Sequence, residues 1–373
     1  MAGTYELWLT TDKGVRIQQL DISLGFTAGR EANKIAPLEM LLPQSFDTNL
    51  IKPDRMVQVW RAPEGGRMGL WWVYFLRRWK YETRGSEETI RIYGKGPKDL
   101  LRRRIVAYYA GESETSMTDQ ADDMMKAIVT DAIADGTAPA PTAGTRVWAD
   151  LSVAGDLAAG PSLTKGFAWK PLLKGSTGGL LPDIAKAAKE AGTEVFFDIV
   201  PATVSSTSIT FQFRTYTGQP GSDVSDRVVF DQERGNLEDP WYEENWENEI
   251  NYVYSGGQGL EDQRNIQQVY DADRYNLSQW NRCEGHADAR SQDSDNAVRE
   301  AGRAALQEGQ PRRRFGGVPV DTAGTRFGRD WHWGDKVRAR YRGMEFDAII
   351  RAVVLSMDGS GQETIRAKLE YEE

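Results

Sequence analysis

Cysteine is almost absent from this 373-residue chain. Cys283 stands alone, so no internal disulfide can form and no Cys-rich zinc site can be assembled. That usage fits folding in a reducing cytoplasm. Histidine is nearly as scarce: His286 and His332 stand apart, outside any HExxH or Cys/His spacing, which leaves a metal centre unsupported. No Gly-x-Ser-x-Gly elbow occurs to expose an activated serine. Long apolar runs are missing too. The longest, Gly69 to Leu76, falls far short of the roughly 20 residues that span a bilayer, and Met1 to Thr10 has neither a basic n-region nor an apolar h-region. A soluble chain with no export signal and no stable membrane insertion is the expectation. There is also no basic excess: 46 Lys and Arg against 55 Asp and Glu give a net charge of −9. A sequence-reading nucleic-acid binder must neutralise phosphates with a basic face, so that class is excluded, whereas a surface that DNA slides past is not.

What is present is aromatic and β-like. A hydrophobic fraction of 40% with 12 Trp, 14 Tyr and 12 Phe belongs to a folded chain, long enough for two or three domains. Tyr5, Leu7 and Leu9 alternate with polar neighbours over Thr4 to Thr10, and Val15 to Leu20 follows across Gly14, which reads as a hairpin with Gly14 left-handed. Further strands are expected at Asn33 to Leu42, Arg55 to Arg61, Leu70 to Glu82 and Glu88 to Tyr93. Short strands, Gly/Pro turns and no long helix suggest a barrel or sandwich over the first hundred residues.

The pattern then changes. A helix capped at Thr118 is expected to bury Ala121, Met124, Met125, Ile128, Val129 and Ala132 and to end near Gly136; Asp135 to Lys165 lacks periodicity and reads as a long mobile loop. A second helix spans Leu180 to Ala191, and strands follow at Glu194 to Val200, Ser208 to Thr215 and Arg227 to Asp231. Glu243 to Gly259 reads as one strand ending in a glycine corner, with Ile250, Tyr252 and Tyr254 on one face and Glu249, Asn251 and Val253 on the other. A strand pair at Asn265 to Tyr270 and Tyr275 to Glu284, a helix over Asp293 to Glu308, and strands at Asp335 to Tyr341, Glu345 to Leu355 and Glu363 to Glu370 complete the chain.

Chemistry is sparse in this pattern. Arg102-Arg103-Arg104 invites a phosphate-binding reading, against which stands a solvated turn or an intersubunit ion pair. Gly94-Lys95-Gly96 lacks the third glycine of a dinucleotide fingerprint and is a turn. Glu243, Glu244, Glu247 and Glu249 lie among Trp241, Tyr242 and Trp246, the acid and aromatic combination with which glycosidases hold and cleave sugars. The same residues equally read as a charged strand edge beside Trp side chains packed in a core or an interface. No catalytic, cofactor-binding or metal residue is assigned.

Several segments in order carry a resemblance. They are Asp12-Lys13-Gly14-Val15-Arg16-Ile17, Pro53 to Arg61, Gly94 to Val106, Ala121 to Val129, Val228-Val229-Phe230 with Gly235-Asn236-Leu237, the stretch Glu243 to Gly259, and Arg329 to Val337. Together they make the chain resemble the baseplate-hub and tail-associated-lysin N-terminal family at the tip of siphophage tails. None is a catalytic motif. The resemblance implies a β-rich α+β fold: a first β-barrel hub domain (1–106), a mixed α+β domain (107–239), a second, discontinuous barrel (240–262 and 311–373), and an inserted strand-pair and helix domain (263–310). It implies a non-enzymatic homotrimer at the virion tail tip, assembled in the bacterial cytoplasm without cofactors. Six barrels would ring an axial channel for genomic DNA. Expected partners are the distal tail protein, the tail tube and tape-measure proteins, and tip or fibre proteins. No appended lysin is expected after Glu373. A cell-wall or capsule glycosidase, or a carbohydrate-binding module, is the alternative. For the channel, Arg102 to Arg104 and Arg312 to Arg314 are expected at interfaces, with acids such as Asp54, Glu88 or the Glu243 to Glu249 run as lumen candidates, since tight cationic sites would stall the polymer.

Overall fold

A computed structural model describes residues 3–84, 87–107, 115–134, 146–167, 169–175 and 178–372. Strand takes up 46% of the described residues and helix 15%, so the β-rich expectation holds. The first hairpin forms as the alternation dictates: Thr4–Thr10 buries Tyr5, Leu7 and Leu9 and pairs antiparallel with Arg16–Leu20. Gly14 sits at φ +88°, where a Cβ would also come within 2.6 Å of the Ile209 nitrogen, so glycine is required there on two counts.

The residues fall into two compact units. The first comprises 1–189, 193–240 and 316–370; the second comprises 241–315 with the short pieces 190–192 and 371–373. The chain's 13-stranded sheet has the path Leu237–Asn245, Arg312–Pro319, Glu363–Glu372, Met344–Met357, Phe26–Glu31, Pro37–Pro43, Glu87–Lys95, Gly69–Arg84, Met56–Ala62, Thr4–Thr10 and Arg16–Leu20. Lys336–Tyr341 joins it through Met344–Met357, and Val229–Asp231 joins through Lys336–Tyr341. Two separate closed barrels were the expectation. Among the described residues no closed barrel forms, because Met344–Met357 pairs with Phe26–Glu31 as well as with Glu363–Glu372, from Ala352↔Glu31 to Met357↔Phe26, and so fuses the N- and C-terminal strands. Phe26–Glu31 is a strand the sequence pattern did not reveal, since Thr27, Gly29 and Arg30 interrupt its apolar character.

A second core lies against this sheet. Helix Ala121–Val129, continued by a π turn over Thr130–Ala134, and helix Leu180–Glu190 bury Met124, Met125, Ile128, Leu181 and Ile184 against Phe197, Ile199, Phe211 and Phe213 of the antiparallel pair Val195–Val204 and Ile209–Thr217. The helix begins after Gln120, not at Thr118, which belongs to strand Thr115–Gln120. The supposed loop is only partly a loop. Residues 135–145 lie outside the described residues, but Leu151–Val153 runs parallel to 211–213 and Ser162–Phe167 pairs with Thr115–Gln120. Asp123 accepts the Leu157 and Ala158 N–H groups at 3.0 and 2.9 Å, and Asp122 accepts that of Ala159 at 3.1 Å, while the buried Lys126 ammonium bonds both acids. Carboxylates in the first turn of a helix thus hold a segment that has no hydrophobic period of its own.

In the second unit, strands Ile266–Tyr270, Tyr252–Gly256 and Glu284–Asp288 form a sheet in that order. Helix Asp295–Glu308, capped by the Ser294 hydroxyl, lays Val298, Gly302 and Leu306 against it, packing on Val253 and Ala287 with Val269 at the margin. Two expectations fail here. Glu243 to Gly259 is not one strand: Leu237–Asn245 ends, a turn closed by Glu249 N–H to the Trp246 carbonyl at 3.2 Å intervenes, and Tyr252–Gly256 starts anew in this small sheet. The Asn245 side chain marks the break, its carbonyl oxygen accepting the Glu247 N–H at 2.9 Å in a local turn that ends the strand. Tyr275 to Glu284 is not a strand either. Asp271 caps a helical turn, Ala272–Tyr275, and the strand comes later at Glu284–Asp288.

Candidate functional site

Two further buried ionic clusters in the first unit join segments far apart in sequence. In one, Asp198 lies fully buried in the apolar strand Val195–Val204. Its carboxylate accepts the Lys98 ammonium at 2.7 Å, the Arg30 guanidinium at 3.2 Å and the Ile199 N–H at 2.9 Å. Arg30 is sandwiched between Trp72 and Trp333, its guanidinium 3.8 Å from each ring centre. Beside it the buried Tyr74 hydroxyl donates to the Gly29 carbonyl at 2.5 Å. Burial pulls the Lys98 ammonium below its ordinary value, and the Asp198 charge acts against that shift.

In the other cluster Arg61 donates to Glu363 at 2.8 Å, to the Tyr5 hydroxyl at 3.0 Å and to the Phe327 carbonyl at 3.1 Å. The Tyr5 hydroxyl itself donates to Glu363, which also receives the Gly3 N–H. Burial would raise the Glu363 carboxyl, yet the Arg61 and Tyr5 hydrogen bonds outweigh it and hold the group below the usual carboxylate range. Burial raises the Tyr5 phenol. Each charge in both clusters is engaged by another. Such an arrangement locks strands in register and offers no poised nucleophile or acid.

The carboxylates singled out in the sequence do not converge. Glu243, Glu244 and Glu247 are exposed, whereas Glu249 is buried with Arg274 3.6 Å away and Asn251 bonded to it. Arg274 in turn donates to the Ile250, Leu306 and Gly309 carbonyls, so Glu249 belongs to the scaffold of the second unit. The Tyr242 hydroxyl, with Arg313 beyond it, holds the Glu244 carboxyl below its ordinary value, opposite to the shift a glycosidic general acid needs. Trp241 and Trp246 are exposed. Of the arginine run, Arg102 and Arg103 pair with Asp99, Arg103 also pairs with Asp54 at 2.8 Å, and Arg104 stacks 3.9 Å over Trp148. Those charges are engaged within the chain, where a solvated turn or an intersubunit pair was expected. Exposed His332 stands 3.7 Å from Asp335, and no group of three or more metal-ligating side chains occurs among the described residues.

The second unit presents the more open surface. On the sheet face away from the helix, Tyr252 stacks on Tyr270 with ring centres 5.3 Å apart, and Arg282 lies 4.1 Å over Tyr252. Leu260 and Trp280 are each 83% exposed, with Ile266, Tyr270 and Leu277 also outward. Next to the strand Glu284–Asp288 is a cavity of about 610 Å³.

The fold is shared with phage tail proteins of known structure. The 43 kDa tail protein of prophage MuSo2 from Shewanella oneidensis has it at 13% identity and a TM-score of 0.54, over 98% of this chain and 97% of that one. The tail protein from Neisseria meningitidis MC58 has it at 11% identity and a TM-score of 0.52, over 98% and 96%. A chain of the lidded PdpA-VgrG complex of Francisella is similar at 7% identity and a TM-score of 0.50, over 99% of this chain and 52% of that one. Residues 65–369 match the Siphovirus ReqiPepy6 Gp37-like protein family, and the chain belongs to that family. Comparison with curated proteins gives no match. Family and fold together support a structural role in the phage tail.

Proposed function

We propose that this protein is the hub of a siphophage tail tip, a non-enzymatic homotrimer that joins the tail tube to the tip and encloses an axial channel for DNA. The observation that carries the reading is the open path of the 13-stranded sheet, which ends at Arg16–Leu20 and at Leu237–Asn245. Strand edges left open invite pairing, and a closed symmetric ring is the arrangement in which identical subunits cover one another's edges without running on into a fibre. The two buried ionic clusters support it, since a ring that transmits force needs subunits whose N- and C-terminal strands do not slip. In this reading, 1–106 and the discontinuous 240–262 with 311–373 supply tube-like β domains, 107–239 the mixed domain and 263–310 the insertion. Its neighbours would be the distal tail, tail tube and tape-measure proteins and a tip or fibre protein.

Native mass measurement of the purified chain over a concentration series, with electron microscopy of the heaviest species, tests the proposal. Three copies in a three-fold ring are expected, and a stable dimer overturns it. Incubation with peptidoglycan and capsule polysaccharide tests the non-enzymatic part: product release that Glu247→Gln abolishes would establish a hydrolase instead.

A further inference from the structure

Arg16 opens strand Arg16–Leu20, the last strand at one end of the 13-stranded sheet, and its N–H donates to the Ser206 carbonyl at 3.0 Å. Its guanidinium carbon lies over two indole rings, 4.6 Å from the centre of Trp8 and 4.9 Å from that of Trp60. Both rings are pinned: the Trp8 Nε1–H donates to Glu6 at 3.1 Å, and the Trp60 Nε1–H to Gln58 at 3.0 Å. Stacking on rings occupies the faces of a guanidinium and leaves its in-plane N–H groups to be satisfied. At Arg16 they are not. The Nε is buried without a hydrogen bond, and among the described residues no acceptor bonds or ion-pairs with any side-chain nitrogen of this half-buried arginine.

The protein holds a completed version of the same arrangement. Arg30 also lies over two indoles, Trp72 and Trp333, and there the in-plane edge takes the Asp198 carboxylate at 3.2 Å. A planar carboxylate matches the guanidinium fork in geometry and in charge. Arg16 has the stacked cation and lacks the acid.

The opposite end of the sheet has acids and lacks the cation. Strand Leu237–Asn245 closes that end, and its Glu238 and Asp239 are exposed, with no hydrogen bond or ion pair on either carboxylate among the described residues. Both, like Arg16, belong to the first unit. Glu244 of the same strand is already held by Tyr242 and Arg313. In a three-fold ring every contact is heterologous, one surface of a subunit meeting a different surface of the next. An unanswered cation at one end of the sheet and unanswered acids at the other are the complementary halves of such a contact.

We propose that the Arg16 guanidinium of one copy, held on Trp8 and Trp60, receives a carboxylate of the Glu238-Asp239 pair of the next copy. The inference rests on the ring reading and names a contact within it.

Native mass measurement of the full chain over a concentration series tests the contact through variants. Arg16→Glu is expected to raise the concentration at which half the chains are trimeric by roughly tenfold or more. Reversing the acids, Glu238→Lys with Asp239→Lys, should weaken assembly similarly. Combining all three substitutions restores opposite charges at every interface. The triple variant should therefore assemble at a lower concentration than either parent, an outcome that a misfolded Arg16→Glu chain could not give. Trimers of Arg16→Glu that form as readily as those of the wild type overturn the Arg16 contact and leave the ring standing. A triple variant no better than Arg16→Glu overturns the pairing with Glu238 and Asp239. A wild type that forms no trimer at any concentration defeats the ring reading, and this inference with it.

Discussion

Asp198 shows what one side chain decides in this protein. It neutralises Lys98 and Arg30 where strand Phe26–Glu31 and the turn at Lys98 meet strand Val195–Val204. Asp198→Ala would leave a 2%-exposed lysine with no counter-charge, and breaking a buried pair from one side costs about 3–5 kcal/mol. Chemical denaturation should register a loss of that order, and an unchanged midpoint would remove the cluster from the stability argument. Glu363 carries a pH signature. Its carboxyl is held below the ordinary value in the folded state, so its contribution is complete above that value, about 4.3, and is lost as pH falls through the lower folded value. Acid unfolding of the wild type should therefore steepen below about pH 4, and Glu363→Gln, which cannot titrate, should be less stable at neutral pH with a flatter acid limb. Equal acid limbs in the two proteins would refute the linkage.

Among the elements, helix Asp295–Glu308 meets its sheet through a glycine. A Cβ on Gly302 would lie 2.3 Å from the Ser255 hydroxyl and 2.8 Å from a Val269 methyl, so the close approach of helix and sheet depends on its absence. Gly302→Val is expected to destabilise the second unit by about 1–3 kcal/mol, despite glycine's poor helix propensity, because the added carbons overfill a closed seam. Limited proteolysis should cut within 241–315 in this variant before it cuts the first unit. Equal resistance in the two proteins would show that the seam can open without cost.

For the whole molecule, the arginine runs bear on the proposed channel. Arg102 and Arg103 are tied to Asp99 and Asp54, and Arg104 to Trp148, so this cluster serves to hold the chain's own segments together. A DNA path lined by such a cluster would hold phosphates in place, while acidic walls let them pass. In a density map of the assembled tip, Arg102 to Arg104 should lie off the axial surface. Their presence on a net-positive lumen would contradict the prediction and leave the ring itself standing.

The sequence by itself determined the local elements and the class. Period-two alternation placed most strands of the large sheet, period-3.6 patterning placed the three longer helices, and Gly14 marked its own turn, because each signal depends only on neighbours in the chain. The ordered segments also carried the resemblance to siphophage tail-tip proteins, and the chain belongs to a siphovirus family. Asp198, a charge in the middle of Val-Phe-Phe-Asp-Ile-Val, was a legible sign of a buried pair that the pattern reading passed over. Only the tertiary structure decided the rest. The fusion of N- and C-terminal strands into one sheet depends on Met344–Met357 finding Phe26–Glu31 more than 300 positions away, and no local pattern encodes such a pairing. The partners of Asp198 and Glu363 lie 100 or more positions away, or more than 300. The break after Asn245 and the helical turn Ala272–Tyr275 arose from side chains bonding backbone, a competition that periodicity cannot register.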